Sequence, residues 1–521
     1  RNAADLFAVQ DEIAQSVTDA LHLVLNPQES RRLVDPQTGS LNAYDAYLRG
    51  RAALDLRTSD STQRAVDHFR EATRLDPDFG LAWGSLAEAI YLSAVYNLGQ
   101  ARWTEVSREA RAAAGKAQAL DPDSGEAWLA QAFVAIGDNQ SGGGTAWPKE
   151  HIVTLLRKAV ELSPNNAVAL KTLANHLEVH EDSLAMLERA AVLDPRSAII
   201  RMNIGDTYVN LGNPESALHH YREALRIEPD FMLGYVGIID VYDARGEFDQ
   251  AARWARAFYR QHTDHMAYFY FSSALAKLAA WDEFAQLLAS NSRAPETAHR
   301  KWWPLQHLRA QLYYGLITRD CGMVVEGIRN YCDPVPADGE PWPDVTKTVG
   351  GELILTARAF CEWVGGRPES ALNMLQSGIP DLDRARTNTM ISFEFRTNVL
   401  FATLLKANGH AGEARQALQG FLEQTAELPV VGEEGIGFGR YFAWAVLGDA
   451  DAALNELDSA IESGYAHDWW TLDLLDADPD FAKVIADPRF AAIRGRLEDR
   501  IRPLRESYLA NPELPSESTK P

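Results

Sequence analysis

The stretch SAIIRMNIGDTYVNLGNPESALHHYREALRIEPD, residues Ser197–Asp230, decides the fold. It consists of two short helical segments separated by the turn LGNP, and the second segment ends before Pro229. Proline ends a helix because it lacks an amide donor and clashes with the preceding turn. Small and large residues recur at fixed positions; counted from Ala198 as position 1, they are Ile204 (7), Gly205 (8), Tyr208 (11), Gly212 (15), Ala217 (20), Tyr221 (24), Ala224 (27) and Pro229 (32).

This spacing resembles the tetratricopeptide (TPR) repeat, a helix–turn–helix unit of about 34 residues. Small residues such as Gly205 and Ala217 allow two helices to approach closely, and Tyr208 and Tyr221 fill the space between them. The resemblance implies an all-α fold, a right-handed α-solenoid of TPR and degenerate TPR-like helix pairs.

A proline at position 32 marks successive repeat boundaries at Pro77, Pro122, Pro164, Pro195 and Pro229. The intervals between neighbours are 45, 42, 31 and 34 residues, so only the last has the ideal length. The array is therefore predicted to be irregular on both sides of the opening stretch.

Turn signals and composition divide the chain into five predicted segments. The phrases GRPESA, GHAGEA and GDADAA mark the starts of second helices in the later array, and a proline-rich connector at 333–344 interrupts the pattern. The predicted segments are an N-terminal helix and linker at 1–40, a TPR array at 41–262, degenerate helix pairs at 263–333, a second TPR-like array at 345–475, and a C-terminal capping region and tail at 476–521.

A second resemblance lies at the two ends of the chain. The phrases DLFAVQDEIA, AYDAYLRGRAAL and AVDHFREATRLDPDFGLAWGSLAEAI, and near the end DADPDFAKVIADPRFAAIRGRL, are similar to the C-terminal TPR halves of bacterial signalling proteins. In that group the TPR half follows a winged-helix transcription regulator or a class III adenylate cyclase domain. The resemblance implies a regulatory or sensory role and an effector domain upstream of Arg1.

The charge balance restricts the partners. The chain has 50 Lys and Arg against 73 Asp and Glu, a formal net charge of −23. Such a surface repels nucleic-acid phosphates, so we expect no nucleic-acid binding by this segment. It favours a basic or neutral partner, although excess acid also keeps a long helical array soluble.

The chain shows no membrane span and no disulfide framework in its sequence. No apolar run reaches the ~18 residues that a membrane helix needs, which favours a cytoplasmic chain, or a periplasmic one if a span precedes Arg1. Cys321, Cys332 and Cys361 lack a CxxC spacing and are predicted to be buried small hydrophobic residues. A disulfide between one pair is left open.

No catalytic motif stands in the sequence, so we expect no enzymatic activity and no cofactor. His176 and His180 have the i, i+4 spacing of metal ligands but no evident third ligand, and no metal site is predicted. The oligomeric state cannot be read from these patterns.

A partner-binding groove is the main functional prediction. The TPR resemblance implies that first-helix positions 2, 5, 9, 12 and 13 face a concave surface. Lys171, Asn175 and Asn203 match part of the carboxylate clamp that grips the C-terminus of a partner. The clamp is incomplete, because Leu233 and Gly237 stand where basic residues are required.

Carboxylates follow the same surface at Asp206, Asp240 and Asp243, with Glu88 earlier. A row of carboxylates favours a basic peptide, whereas the simpler interpretation is a solvated polar face. The predicted groove therefore comprises Lys171, Asn175, Asn203, Asp206, Asp240 and Asp243.

Tryptophans form a third candidate surface at Trp302, Trp303, Trp342 and Trp469. Large aromatic residues anchor interfaces, but they also fill gaps between irregular repeats. The sequence thus favours a non-catalytic interaction scaffold for a protein or peptide, with a small-molecule sensor or an enzyme using an aromatic pocket as the alternative.

Overall fold

The computed structural model describes residues 38–56, 59–96, 100–141, 146–177, 181–262, 265–290, 302–331, 351–379, 397–428, 438–466 and 469–514. Most of the predicted N-terminal segment at 1–40 lies outside them, as does the whole proline-rich connector at 333–344, which contains Trp342. Every regular element within the described residues is helical, and the helices are arranged as antiparallel pairs.

The chain divides into two compact units, Arg1–Gly237 (unit 1) and Ile238–Pro521 (unit 2). The helices that lie in unit 1 are α1 (Leu41–Asp55), α2 (Ser59–Leu75), α3 (Gly80–Tyr96), α4 (Gln100–Leu120), α5 (Gly125–Ser141), α6 (Lys149–Leu162), α7 (Ala167–His176), α8 (Glu181–Leu193), α9 (Ala198–Asn210) and α10 (Pro214–Ile227). The division falls inside α11 (Met232–Ala244).

Unit 2 continues the pattern with shorter and less regular pairs. Its helices are α12 (Phe248–Gln261), α13 (His265–Lys277), α14 (Trp281–Ser290), α15 (Trp302–Ile317), α16 (Cys321–Tyr331), α17 (Gly351–Val364), α18 (Pro368–Gly378), α19 (Thr397–Ala407), α20 (Ala411–Gln424), α21 (Gly439–Leu447), α22 (Ala450–Glu462), a 3₁₀ helix (Trp469–Thr471), α23 (Pro479–Ile485) and α24 (Pro488–Ala510).

Polar caps and a glycine set the helix bounds around the opening stretch. The side chain of Asn166 accepts a hydrogen bond from the Ala169 amide at 3.0 Å at the start of α7. Asn213 does the same for the Ser216 amide at 3.1 Å at the start of α10, which satisfies an amide that the helix leaves free. Gly212 has a φ of 72° and turns the chain from α9 into α10.

The predicted small/large packing is confirmed at Tyr221. Its ring is 2% exposed, and a Cβ on Gly205 or Gly237 would come within 2.5 Å or 2.7 Å of a ring carbon. The ring thus fills the space that these two glycines leave open.

The first helix pair uses the same packing with a different spacing. A Cβ on Gly50 of α1 would lie 2.6 Å from the ring of Phe69 on α2. Gly50 therefore holds the position that Gly205 holds against Tyr221, but it stands nineteen residues before its aromatic partner instead of sixteen. The extra length lies at the start of α2, because the connections 56–58 and 211–213 have the same number of residues.

A buried carboxylate fixes the irregular region at the end of α5. Asp138 is 3% exposed and accepts hydrogen bonds from the indole nitrogens of Trp103 and Trp147, both at 3.1 Å. Arg111 also pairs with it. This satisfied carboxylate joins Trp147, which precedes α6, to α4 and α5.

The last helix of unit 2, α24, packs against helices from both the end and the beginning of the unit. The α24 side chains Phe490, Ile493, Leu497 and Ile501 are buried, and α24 packs against α22 and α23. Its C-terminal end packs against α12, near the beginning of the unit. The sequence predicted only that this region would cover the last apolar face of the array.

The structure pairs two of the three cysteines. Cys321 at the start of α16 and Cys361 in α17 form a disulfide, with a Cα–Cα distance of 5.5 Å. The sequence left a disulfide between one pair open, and helices α16 and α17 bring this pair to bonding distance. Cys332 lies outside the described residues.

Candidate partner-binding surfaces

The first helices of the unit 1 pairs form one surface, which we call the A-helix face (α1, α3, α5, α7 and α9). Arg51 of α1 donates a hydrogen bond to Glu88 of α3 at 3.2 Å. Tyr91 of α3 stacks on Phe133 of α5, with a centroid distance of 5.3 Å. Side chains of successive pairs thus touch along this face.

A polar patch occupies the beginning of the A-helix face. Burial has the largest single effect on Arg51 and lowers its pKa. Glu88, Tyr47, Asp55 and Asp194 together outweigh it, so the pKa lies above its ordinary value. Since Asp55 belongs to α1 and Asp194 follows α8, carboxylates from distant parts of unit 1 act on one guanidinium.

Tyr47 belongs to the same patch. Burial raises its pKa, while Arg51 and a hydrogen bond with Ser85 lower it and Glu126 raises it again. Glu126 is held in place by hydrogen bonds from Ser124 at 2.9 Å and from the Asn166 amide group at 3.3 Å. We call Tyr47, Arg51, Glu88 and Glu126 the α1–α5 patch.

The sequence reasoning found Glu88 but missed Tyr47, Arg51 and Glu126. The signal was Gly50, which identifies the close-packed position of α1 and so places Tyr47 and Arg51 on the A-helix face. Counting back from Pro77 could not give this register, because α2 begins earlier relative to its aromatic residue than the second helix of the near-ideal repeat does.

The three residues predicted to form part of a clamp differ in exposure. Lys171 is 9% and Asn203 is 5% exposed, and both lie on helices that are covered by their neighbours. Asn175, at the end of α7, is exposed to solvent. Of the three, Asn175 alone presents its side chain freely at the surface.

Asp206 is half-buried on α9. It accepts a hydrogen bond from the Tyr221 hydroxyl at 2.6 Å. Burial raises its pKa, against the opposing effect of that hydrogen bond. Its carboxylate is therefore oriented by the second helix of its own pair.

Asp240 and Asp243 lie on the part of α11 that belongs to unit 2. Asp240 is exposed and accepts a hydrogen bond from the Tyr270 hydroxyl at 3.4 Å. Asp243 forms an ion pair with Lys277, and its Oδ1 is buried without a hydrogen-bond partner. Lys277 thus neutralises one of the two predicted groove carboxylates.

The predicted aromatic anchors have different positions. Trp469 is 6% exposed and donates its indole N–H to the Lys277 carbonyl at 3.0 Å, so its ring lies in the interior of unit 2. Trp302 and Trp303 begin α15, but their side chains and all of Trp342 lie outside the described residues.

A histidine near the centre of unit 1 is held neutral. His220 of α10 stacks on Tyr208 of α9, with a centroid distance of 5.5 Å, and its Nδ1 is buried without a hydrogen-bond partner. Burial, followed by His219 and Arg201, lowers its pKa to about 4, against the opposing effect of Glu223.

We expect His220 to make unit 1 sensitive to acid. The unfolded chain binds the proton with a pKa of 6.5 and the folded chain with a pKa of about 4, so stability is lost as the pH falls through that interval. For a half-buried group the loss is about 1–2 kcal/mol. Hydrogen exchange of α9 and α10 at pH 7 and pH 4 measures it. His220→Phe should reduce the loss, and His219→Phe, which removes only a secondary cause of the lowered pKa, should reduce it less.

The described residues contain no group of three or more His, Cys, Asp or Glu side chains arranged to hold a metal ion. In the same part of the chain, no helix combines the length and apolar composition of a membrane span.

Comparison with protein families identifies one match. Residues 180–230 and 202–265 match the family described as Tetratricopeptide repeat. A search of curated proteins finds no match. Similar solved structures include Pseudomonas aeruginosa pilF, which is 15% identical over 49% of this chain and 90% of that chain, with a TM-score of 0.30. YrrB, a TPR protein with an unusual peptide-binding site, is 20% identical over 40% of this chain and 96% of that chain, with a TM-score of 0.22. MamA of Desulfovibrio magneticus RS-1 is 16% identical over 37% of this chain and 99% of that chain, with a TM-score of 0.22.

The matched residues include α8 to α12, where the Tyr221 packing was found. The helix pairs and this match together define the class: an all-α, right-handed α-solenoid of TPR and degenerate TPR-like helix pairs, as predicted. TPR repeats generally mediate protein–protein interaction.

Proposed function

We propose that the chain is a non-catalytic interaction scaffold and that the A-helix face of unit 1 binds a basic peptide or protein segment. The observation that carries the proposal is the α1–α5 patch, in which side chains from three successive first helices meet on one face. A peptide lying along that face would contact several repeats at once.

The charges of the A-helix face favour a basic segment. Its carboxylates are those of Asp55, Glu88, Glu126 and Asp206, against the cations of Arg51 and Lys171. Arg51 is already paired with Glu88, and Lys171 is buried. Asp55 is exposed, and Glu126 and Asp206 are half-buried, so these carboxylates can attract a basic segment, in agreement with the net charge of −23.

Aromatic side chains complement these carboxylates. Tyr47 and Tyr91 are half-buried on α1 and α3, and the Tyr47 ring lies 5.2 Å from that of Phe79. A lysine or arginine of the partner can place its alkyl stem on such a ring and its charge beside a carboxylate.

We further propose that this scaffold is the regulatory or sensory portion of a bacterial signalling protein. Support for this step comes from the phrases at both ends of the chain that resemble such proteins. We do not propose a small-molecule pocket, because Trp469, one of the residues that suggested it, is buried and bonded to the Lys277 carbonyl.

Charge reversal on one helix tests the proposed face. Basic peptides selected against the full chain from a random display library are titrated by fluorescence polarisation against variants of α1. Asp55→Lys replaces a carboxylate with a cation one turn from Arg51 on α1. It should weaken binding of the basic peptide by about tenfold, since like charges at an interface are strongly unfavourable. Asp45→Lys is the matched control, since Asp45 is also exposed on α1 but is not among the carboxylates that raise the pKa of Arg51.

The control variant should retain the wild-type affinity within about twofold, and binding of the wild type should weaken as salt screens the carboxylates. Equal affinities for Asp55→Lys and Asp45→Lys would contradict the proposed face.

A further inference from the structure

Helix α24 is held at two separate places in unit 2. Up to Ile501 its buried side chains are apolar, and this part packs with α22 and α23. Beyond Pro503 the contact is mixed: the segment Ser507–Glu513 is held on α12 by arginine side chains and by the fully buried ring of Tyr508. We call this segment the docking segment.

Arg253 of α12 makes the central contacts with the docking segment. Its Nε donates to the Asn511 carbonyl at 2.8 Å, and its Nη2 donates to the Ser507 carbonyl at 2.8 Å and to the Ser507 hydroxyl at 2.9 Å. These carbonyls belong to the C-terminal end of α24, where the helix dipole attracts a cation. The Ser507 carbonyl also accepts from the Asn511 amide at 3.3 Å, so Arg253 is its second donor.

Two further arginines continue the same face of α12. Arg256 and Arg260 both form ion pairs with Glu513, the former at 3.4 Å. Arg256 also donates to the Tyr508 hydroxyl at 3.3 Å. Arg253, Arg256 and Arg260 have the i, i+3, i+7 spacing of one helix face, which we call the arginine face.

The arginine face has a partner for its central charge even without the docking segment. Arg253 pairs with Asp249, one turn earlier on the same helix, at 2.7 Å. When the segment leaves, Arg253 keeps this carboxylate, and Arg256 keeps its pairing with Glu283 of α14. Separation therefore does not leave an isolated buried charge, and its main cost is the exposure of the buried Tyr508 ring.

Pro503 lies between the two parts of α24 that are held differently. A proline inside a helix removes one backbone hydrogen bond and favours a bend at that point. The end of α24 can therefore leave α12 while the part before Ile501 stays packed.

We propose that the arginine face of α12 is a docking surface for a segment that carries a carboxylate just past a helix end, that residues Ser507–Glu513 occupy it in this chain, and that the segment detaches about Pro503. A peptide of residues 504–514 then competes for the face in trans. This inference concerns unit 2 and stands independently of the function proposed for unit 1.

Hydrogen exchange of the full chain tests the proposal. The exposed fractions of the Arg260 and Glu513 side chains are 56% and 49%, so their pairing should respond to salt. We expect Glu513→Gln, or 1 M NaCl, to raise amide exchange in residues 504–514 about threefold, the effect of losing exposed ion pairs. Exchange in residues 490–501 should stay unchanged. Glu506→Gln, at an exposed position of the same helix, is the matched control.

Two further measurements keep the test decisive. Pro503→Ala should slow exchange in residues 504–514, because it restores a helical hydrogen bond at the bend. A labelled synthetic peptide of residues 504–514 should bind Glu513→Gln more tightly than the wild type, whose face is occupied. The proposal is overturned if Glu513→Gln and Glu506→Gln exchange alike, or if the peptide binds neither chain.

Discussion

Replacing Tyr221 with alanine is expected to destabilise unit 1 by about 3–5 kcal/mol, the range for removing a large buried aromatic side chain. The ring is 2% exposed, and it fills the space beside Gly205 and Gly237. Because neither glycine has a side chain, nothing on those helices can fill the cavity. The half-buried Asp206 would also lose the hydroxyl that donates to it.

The measurement is native-state hydrogen exchange in α9 and α10, since a chain of two units does not unfold in one step. Protection there should fall by a factor of about 10²–10⁴. Tyr221→Phe is the control: it keeps the ring and loses one hydrogen bond, which is worth about 1 kcal/mol. Equal losses in the two variants would show that packing between the glycines is not what stabilises the pair.

Arg253→Ala is expected to have a similar effect in unit 2. Breaking a buried ion pair by removing one partner costs about 3–5 kcal/mol, because Asp249 would remain buried without its cation. The end of α24 would lose the guanidinium that binds two of its carbonyls. Exchange in α12 and in residues 504–514 should rise together.

A double variant separates the two causes. Asp249→Ala combined with Arg253→Ala removes both charges, so it should recover part of the stability that Arg253→Ala loses. If the double variant is less stable than the single one, the uncompensated carboxylate is not the main source of the loss.

The sequence was sufficient for the fold where a repeat is close to ideal. Gly205, Tyr221 and Pro229 hold the expected positions, and the structure confirms their packing. In the first pair the same reasoning missed the register, because three additional residues between Gly50 and Phe69 displace α1 relative to the proline that ends α2. The pairing of an aromatic ring with a glycine therefore indicates the register of α1 more reliably than the distance to Pro77 does.

The candidate surfaces could be predicted only in part. A repeat position indicates which face a side chain occupies, but burial depends on the neighbouring helices, as at Lys171 and Asn203. The contact of Arg253 with Ser507 joins residues 254 positions apart. Such a contact depends on how each intervening helix pair is rotated relative to the one before it. A local sequence pattern does not predict these rotations. The Cys321–Cys361 disulfide has the same origin over a shorter distance.

The proposed function is tested most directly by locating a bound peptide on the chain. A basic peptide selected against the full chain is synthesised with a photoreactive benzophenone side chain, crosslinked, and mapped by mass spectrometry. The α1–α5 patch predicts crosslinks to α1, α3 and α5 around Tyr47 and Tyr91, and their loss in Asp55→Lys but not in Asp45→Lys. Crosslinks confined to second helices or to unit 2 would contradict it.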